Sequence, residues 1–159
     1  MTDFINDPVV SLPDRMPEPV IPSDELFFTD EEKKQIETWV SRYPTADGAV
    51  MRVLWLAQEK FGFLPAEVVQ LVANALDIPY AKVYGVATFY TQYFKEKKGK
   101  YVFDVCTCFS CQWCGGYDML HYLEEKLRVH AGETTDDGLF TIQEAECLGG
   151  CGSAPLLQI

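Results

Sequence analysis

The sequence predicts an α+β protein in which a small helical bundle precedes an α/β unit that carries a metal site. Three observations lead there. Apolar residues recur at helical spacing from Ile36 to Tyr90, the period turns to alternation beyond the charged segment Lys95 to Lys100, and six cysteines crowd the last third of the chain. Four of them, Cys106, Cys111, Cys147 and Cys151, fall into two pairs spaced C-x4-C and C-x3-C.

Residues 1–28 hold five of the nine prolines, with acidic residues interspersed and no helical period, and read as an extended tail. Such a tail is either a free end or a strap over a partner subunit, the second supported by Phe27 and Phe28. Residues 29–97 form the predicted bundle. Thr29 and Glu32 have capping-box spacing, and Ile36, Trp39, Val40 and Tyr43 continue the first helix to about Tyr43-Pro44. A second helix runs from about Asp47 to Phe61 with Val50, Val53, Leu54 and Ala57 on its buried stripe, and Gly62 supplies the left-handed stop. Pro65 opens a third helix carrying Val68, Leu71, Val72 and Leu76, and Pro79 opens a fourth carrying Val83, Val86 and Tyr90. Short connections make successive helices neighbours. Phe89, Tyr90, Tyr93 and Phe94 place aromatics at the bundle exit, either as a docking element or as core.

Residues 98–159 form the α/β unit. Val102 to Val105 reads as a strand delivering Cys106 at its end, and a helix from about Tyr117 to Val129 follows, apolar at Leu120, Leu123 and Leu127 and closed near Gly132. Thr134 to Gly138 turns the chain into a second strand, Leu139 to Glu146, with Phe140 and Ile142 alternating against Thr141 and Gln143. Leu156 begins a third strand after Pro155. A βαβ crossover would place Cys106 and Cys111 at the carboxyl end of the first strand, and the second cysteine pair must come to meet them.

The whole-chain numbers narrow the functions. A chain of 159 residues that is 48% apolar supplies its core without disulfide staples. No apolar run approaches the roughly 18 residues of a membrane span, and no basic segment leads into an apolar stretch at the N-terminus. The expectation is a soluble, cytoplasmic protein with no direct membrane insertion, in a reducing compartment where clustered cysteines are metal ligands or redox thiols. A net charge of −11, with 13 basic against 24 acidic residues, excludes the basic face that nucleic acid binding needs.

Two pairs of thiolates are what a rhombic two-iron cluster requires, because each iron takes two sulfurs and each short loop can bend both toward one metal. In the second loop, Gly149, Gly150 and Gly152 let backbone N–H groups approach sulfur. Three other chemistries use parts of the same set. Cys108-Phe-Ser-Cys111 and Cys111-Gln-Trp-Cys114 are C-x-x-C motifs between a strand and a helix, as in a thiol–disulfide oxidoreductase, though that leaves Cys147 and Cys151 without a use. Cys108, Cys111 and Cys114 with one remote thiolate could serve a four-iron cluster, and four thiolates could hold zinc. Under the two-iron reading Cys108 and Cys114 are neighbours of the site with no assigned role. His121 and His130 are the only histidines, and neither lies within two residues of a cysteine as a Rieske-type site would require.

Several stretches together resemble a known family: Tyr43-Pro44, Leu56-Ala-Gln-Glu-Lys-Phe-Gly-Phe-Leu-Pro65, Val83-Tyr-Gly-Val-Ala-Thr-Phe-Tyr90, Cys106 with Cys111, Gly132-Glu-Thr-Thr-Asp-Asp-Gly138 and Glu146-Cys-Leu-Gly-Gly-Cys-Gly-Ser-Ala-Pro155. The chain resembles the small 2Fe-2S subunit of the NADH-oxidising module of respiratory complex I and of related NAD-linked hydrogenases and formate dehydrogenases. The resemblance implies a thioredoxin-like second domain and a single 2Fe-2S cluster on Cys106, Cys111, Cys147 and Cys151. It also implies a larger partner that binds FMN, NADH and further Fe-S clusters, placed in a peripheral arm at the cytoplasmic face of the inner membrane. It implies a domain that continues past Ile159 with another strand and a helix, whereas the proline-rich tail has no counterpart. The role implied is one-electron carrier in an NADH:quinone oxidoreductase. No residue of the chain is expected to be catalytic, since it contains no G-x-G-x-x-G after a strand and no phosphate loop for hydride chemistry.

Overall fold

Thr29 begins the first helix as the spacing predicts. Its hydroxyl accepts from the Glu32 N–H while the Glu32 carboxylate accepts from the Thr29 N–H at 2.6 Å, a complete capping box. In the computed structural model, which describes residues 20–159, α1 spans Asp30–Val40 and ends before Tyr43. Helix α2 spans Val50–Phe61, preceded by a 3-10 turn at Ala46–Ala49, so the stretch predicted as one helix begins with tighter winding. Gly62 closes α2 at φ 84°, which only glycine adopts without strain. Helices α3 (Ala66–Leu76) and α4 (Tyr80–Phe89) follow Pro65 and Pro79.

Val53, Leu54, Val68, Val72 and Val83 are fully buried where these four helices face one another. Ile21 and Phe28 join the same core, so this part of the N-terminal segment packs on the chain itself and Phe28 is not free to strap a partner. Glu67 anchors it by accepting from the N–H groups of Val20 and Ile21. The rest of the predicted tail, residues 1–19, lies outside the described residues. The bundle-exit aromatics divide: Tyr93 is buried with its hydroxyl donating to the Met51 carbonyl at 2.9 Å, whereas Phe89 is 77% exposed. Buried Gln58 holds the exit segment by donating to the Gln92 carbonyl and accepting from the Phe94 N–H.

Strands β1 (Tyr101–Cys106) and β2 (Phe140–Ala145) run parallel, and β3 (Leu157–Gln158) lies antiparallel on the other side of β1. A five-residue helix, α5 (Phe109–Trp113), follows β1. Helix α6 (Gly116–Leu127) then makes the crossover and packs Leu120 against Val105 and Ile142 in a second, smaller core. It ends at Arg128, which takes the left-handed conformation at φ 59°, four residues before the glycine expected to close it. The β2 alternation also differs from the expectation. Thr141 is as buried as Ile142, because its hydroxyl accepts from the Gly99 N–H and shares a hydrogen bond with Thr134, both at 2.7 Å.

Candidate metal centre

Parallel pairing decides where the cysteines meet. Cys106 lies opposite Ala145 in the register, so both strands end at the same edge and β2 releases the chain two residues before Cys147. The chain then returns along β1, where the Cys106 N–H donates to the Leu156 carbonyl at 3.0 Å. Between Cys106 and Cys111 the chain winds into α5, with Cys108 at its N-cap. The periodicity gave no sign of so short a helix. Gly116 lets α6 start directly against this loop: a Cβ there would lie 2.8 Å from the carbonyl oxygens of both Cys106 and Cys111.

Cys106 and Cys111 are buried at this edge, whereas Cys147 and Cys151 are exposed. Burial raises the Cys106 thiol, but N–H groups of Cys108 and Leu148, together with the Cys111 thiol, outweigh it and hold Cys106 below its ordinary value. Burial and the Cys106 thiol push Cys111 up, opposed by the N–H of Leu156. The Gly149 N–H donates to the Cys147 sulfur at 3.4 Å, with Gly149 at φ 74°. Leu148 and Leu156 thus act through their backbone, which no side-chain motif reveals.

The thiols influence one another across the two loops: Cys106 acts on Cys111 and Cys108, Cys147 on Cys108, and Cys151 on Cys111. The Phe109 N–H lowers the Cys108 thiol, but burial and the neighbouring Cys147 and Cys106 outweigh it and leave Cys108 raised. Among the described residues no three His, Cys, Asp or Glu side chains converge as a single metal ion would need. Cysteines from two loops at one sheet edge, with the Gly149 N–H on the Cys147 sulfur at 3.4 Å, are the thiolate donors a two-iron cluster takes.

The histidines take no part in these contacts. His121 stacks on Tyr117 at 6.3 Å, and His130 Nδ1 lies 3.7 Å from a Glu124 oxygen.

Comparison with known proteins agrees with this chemistry. The thioredoxin-like [2Fe-2S] ferredoxin family matches residues 36–159. A subunit of the NADH-quinone oxidoreductase of Rhizobium meliloti (strain 1021) is 40% identical over 127 residues, covering 80% of this chain and 76% of that protein. The NADP-reducing hydrogenase component HndA of Solidesulfovibrio fructosivorans is 35% identical over 145 residues, covering 91% and 81%. Among solved structures, an NAD+-reducing [NiFe]-hydrogenase in the H2-reduced state shares the fold with a TM-score of 0.55 at 19% identity, over 73% of this chain and 19% of that one.

Proposed function

This chain belongs to the thioredoxin-like [2Fe-2S] ferredoxin family, and on that premise we propose that it is the electron-carrier subunit of an NADH:quinone oxidoreductase, exchanging single electrons with the FMN of a larger NADH-binding partner. Cys106 and Cys111 hold one iron of its single 2Fe-2S cluster, and Cys147 and Cys151 hold the other. The observation that carries this reading is the meeting of the two cysteine loops at one edge of the parallel strand pair, where Cys106 ends β1 opposite Ala145, two residues before Cys147. When bound, such a cluster supplies a reversible one-electron step, which a two-electron hydride donor needs in order to feed single-electron carriers.

The chain's own residues hold the sulfurs, donate N–H groups that stabilise their negative charge, and keep water from the buried pair. Exposure of Cys147 and Cys151 leaves the opposite side open to a partner. Residues 29–97 serve as the docking bundle and residues 98–159 as the electron-carrying domain. No helix among the described residues is long and apolar enough to cross a membrane, and the chain's place in this reading is the peripheral arm of a larger complex, on the cytoplasmic side. A second reading, as part of an NAD(P)-linked hydrogenase, is favoured by the 91% coverage of this chain in the match to the hydrogenase component.

Iron and sulfide analysis of the anaerobically purified chain should give about two of each per chain, with a red-brown colour and a reduced-state EPR signal. Serine at Cys106, Cys111, Cys147 or Cys151 should lose or deform the cluster, while Cys108→Ser and Cys114→Ser retain the visible spectrum. A colourless, zinc-loaded protein would overturn the carrier role. Loss of the cluster on replacing Cys108 or Cys114 would overturn the ligand set.

A further inference from the structure

We propose that the exposed aromatic pair on α5, Phe109 and Trp113, is the centre of a docking surface for a partner protein whose contact face is apolar in the middle and lined by lysine and arginine at its edge. That this partner is the flavin-bearing subunit rests on the reading above; the surface and the chemistry it selects do not.

Helix α5 turns Cys111 inward and its two largest side chains outward. Phe109 is 74% and Trp113 82% exposed. They stand one helical turn apart with ring centroids 6.3 Å from each other and planes tilted by 30°, so they form one continuous apolar patch. Neither packs into the core of Val105, Leu120 and Ile142, so neither is held in place by a need of the fold. A single exposed aromatic is ordinary, whereas an adjoining pair is the kind of patch that contact with another protein covers. Tryptophan and phenylalanine are enriched at the centres of such contacts, because each removes a large apolar area from water while freezing few rotamers.

Charge around the pair identifies the occupant. From Val105 to Tyr117 the chain has no Asp, Glu, Lys or Arg, although these make up 23% of the whole, so a partner seated there strips water from no charged group of this stretch. Beyond it the charge is of one sign. Residues 101–159 hold nine acidic residues against two basic ones, Lys126 and Arg128. Those two lie at the far end of α6, with Lys126 ten residues, or about 15 Å, from the start of that helix beside the cysteine loop. Glu144 and Glu146 are exposed on either side of Ala145, whose carbonyl accepts from the Thr107 N–H at 3.0 Å, so these carboxylates stand at the edge from which α5 departs. Asp118 is exposed just past Tyr117. An acidic rim around an uncharged aromatic centre selects a basic rim around an apolar one. A second copy of this chain would bring a net charge of −11 toward another of −11, and anionic lipid or nucleic acid would meet the same repulsion. Cys147 and Cys151 are exposed and follow β2 at this edge, so a partner seated on α5 also approaches the open side of the cysteine site.

The test compares the full chain purified alone with the assembly that co-purifies with it, through an affinity tag, from the cells that produce it. Hydroxyl-radical labelling of Trp113 should be strong in the free chain and fall roughly tenfold in the assembly, as water exclusion at an interface centre requires. Titrating the purified partner with Trp113→Ala should show binding weakened by about tenfold or more, with iron content and visible spectrum unchanged, and Trp113→Phe should recover most of the affinity. Wild-type binding should weaken as salt is added, and Glu144→Gln with Glu146→Gln should weaken it at low salt and flatten that dependence. Equal labelling of Trp113 in the two states, binding indifferent to Trp113→Ala, or binding strengthened by the glutamine variants would each overturn the proposal. So would protection of Trp113 in the purified chain that grows with its own concentration, which would make the occupant a second copy. Protection of Trp113 in an assembly that contains no flavin would leave the docking surface standing and remove the flavin-linked partner. A flavin-containing assembly in which Trp113 stays fully reactive would do the reverse.

Discussion

Replacing Gly116 by alanine adds one methyl group where the backbone leaves no room. The new Cβ would lie 2.8 Å from the carbonyl oxygens of Cys106 and Cys111 and 3.0 Å from the Cys111 carbonyl carbon. Ordinary contact begins near 3.4 Å, so α6 must retreat from two backbone groups by about 0.6 Å. Neither group can swing away, since Cys106 ends β1 and Cys111 belongs to α5. Gly116 has no positive φ, so alanine adds no backbone strain, and in an open helix it would stabilise by roughly 0.5–1 kcal/mol. Overpacking of this kind costs about 1–3 kcal/mol, and the clash decides the sign. Urea denaturation of the cluster-free variant should show that loss, and the reconstituted variant should show a shifted or weakened visible spectrum because the displaced groups carry two of the proposed ligands. Gly85 is the control: it is exposed in mid α4 with nothing within 4 Å, so Gly85→Ala should gain roughly 0.5–1 kcal/mol. A Gly116→Ala protein as stable as wild type, with an unchanged spectrum, would refute the packing argument.

Three further outcomes can be measured in the same way. Thr141→Val keeps the shape of a fully buried side chain but removes the acceptor for the Gly99 N–H and the partner of Thr134, and should cost about 1–3 kcal/mol in urea unfolding. Tyr93→Phe deletes the hydroxyl that donates to the Met51 carbonyl and should cost about 1 kcal/mol, with the helical circular dichroism unchanged. Burial raises Glu32, but the hydrogen bond from Lys60 and those from Thr29 outweigh it and hold the carboxyl below its ordinary 4.5. The unfolded chain therefore binds this proton first on acidification. The stability Glu32 contributes is present above pH 4.5 and is lost as pH falls through the lower folded value. The gap in urea midpoint between wild type and Glu32→Gln should narrow on acidification below pH 4.5, and a gap that widened would contradict the assigned direction.

Local physics made much of this fold legible. The Thr29 and Glu32 spacing, the prolines at 65 and 79, and Gly62 each act within one turn of chain, and each marks an element boundary where predicted. The departures arose where tertiary context overrides local preference. Arg128 accepts a left-handed φ that its sequence does not advertise, closing α6 before Gly132. Thr141 is buried because a hydroxyl partner and an N–H donor await it across the turn and from the chain entering β1. Spacing brought the six cysteines to attention, but it could not tell which thiols face each other. The parallel register, with Cys106 opposite Ala145, brings the loop of Cys147 to the edge where β1 ends, across the whole crossover. The N–H groups of Leu148 and Leu156 carry no side-chain signature, so they emerge only when the loops are folded together.

The parallel register has an engineering consequence. From Gly116 to Ala131 the chain stands off the sheet and residues 132–135 pair back along β2, so residues added at the tip of that turn, Asp136 to Gly138, lengthen only the detour and leave both strand ends in place. One residue added inside β2 shifts everything after it by about 3.3 Å along the strand and turns alternate side chains over. Variation in length should thus be tolerated in the crossover and excluded between Phe140 and Cys147, making the latter stretch a ruler that sets how far the exposed thiols stand from the buried ones.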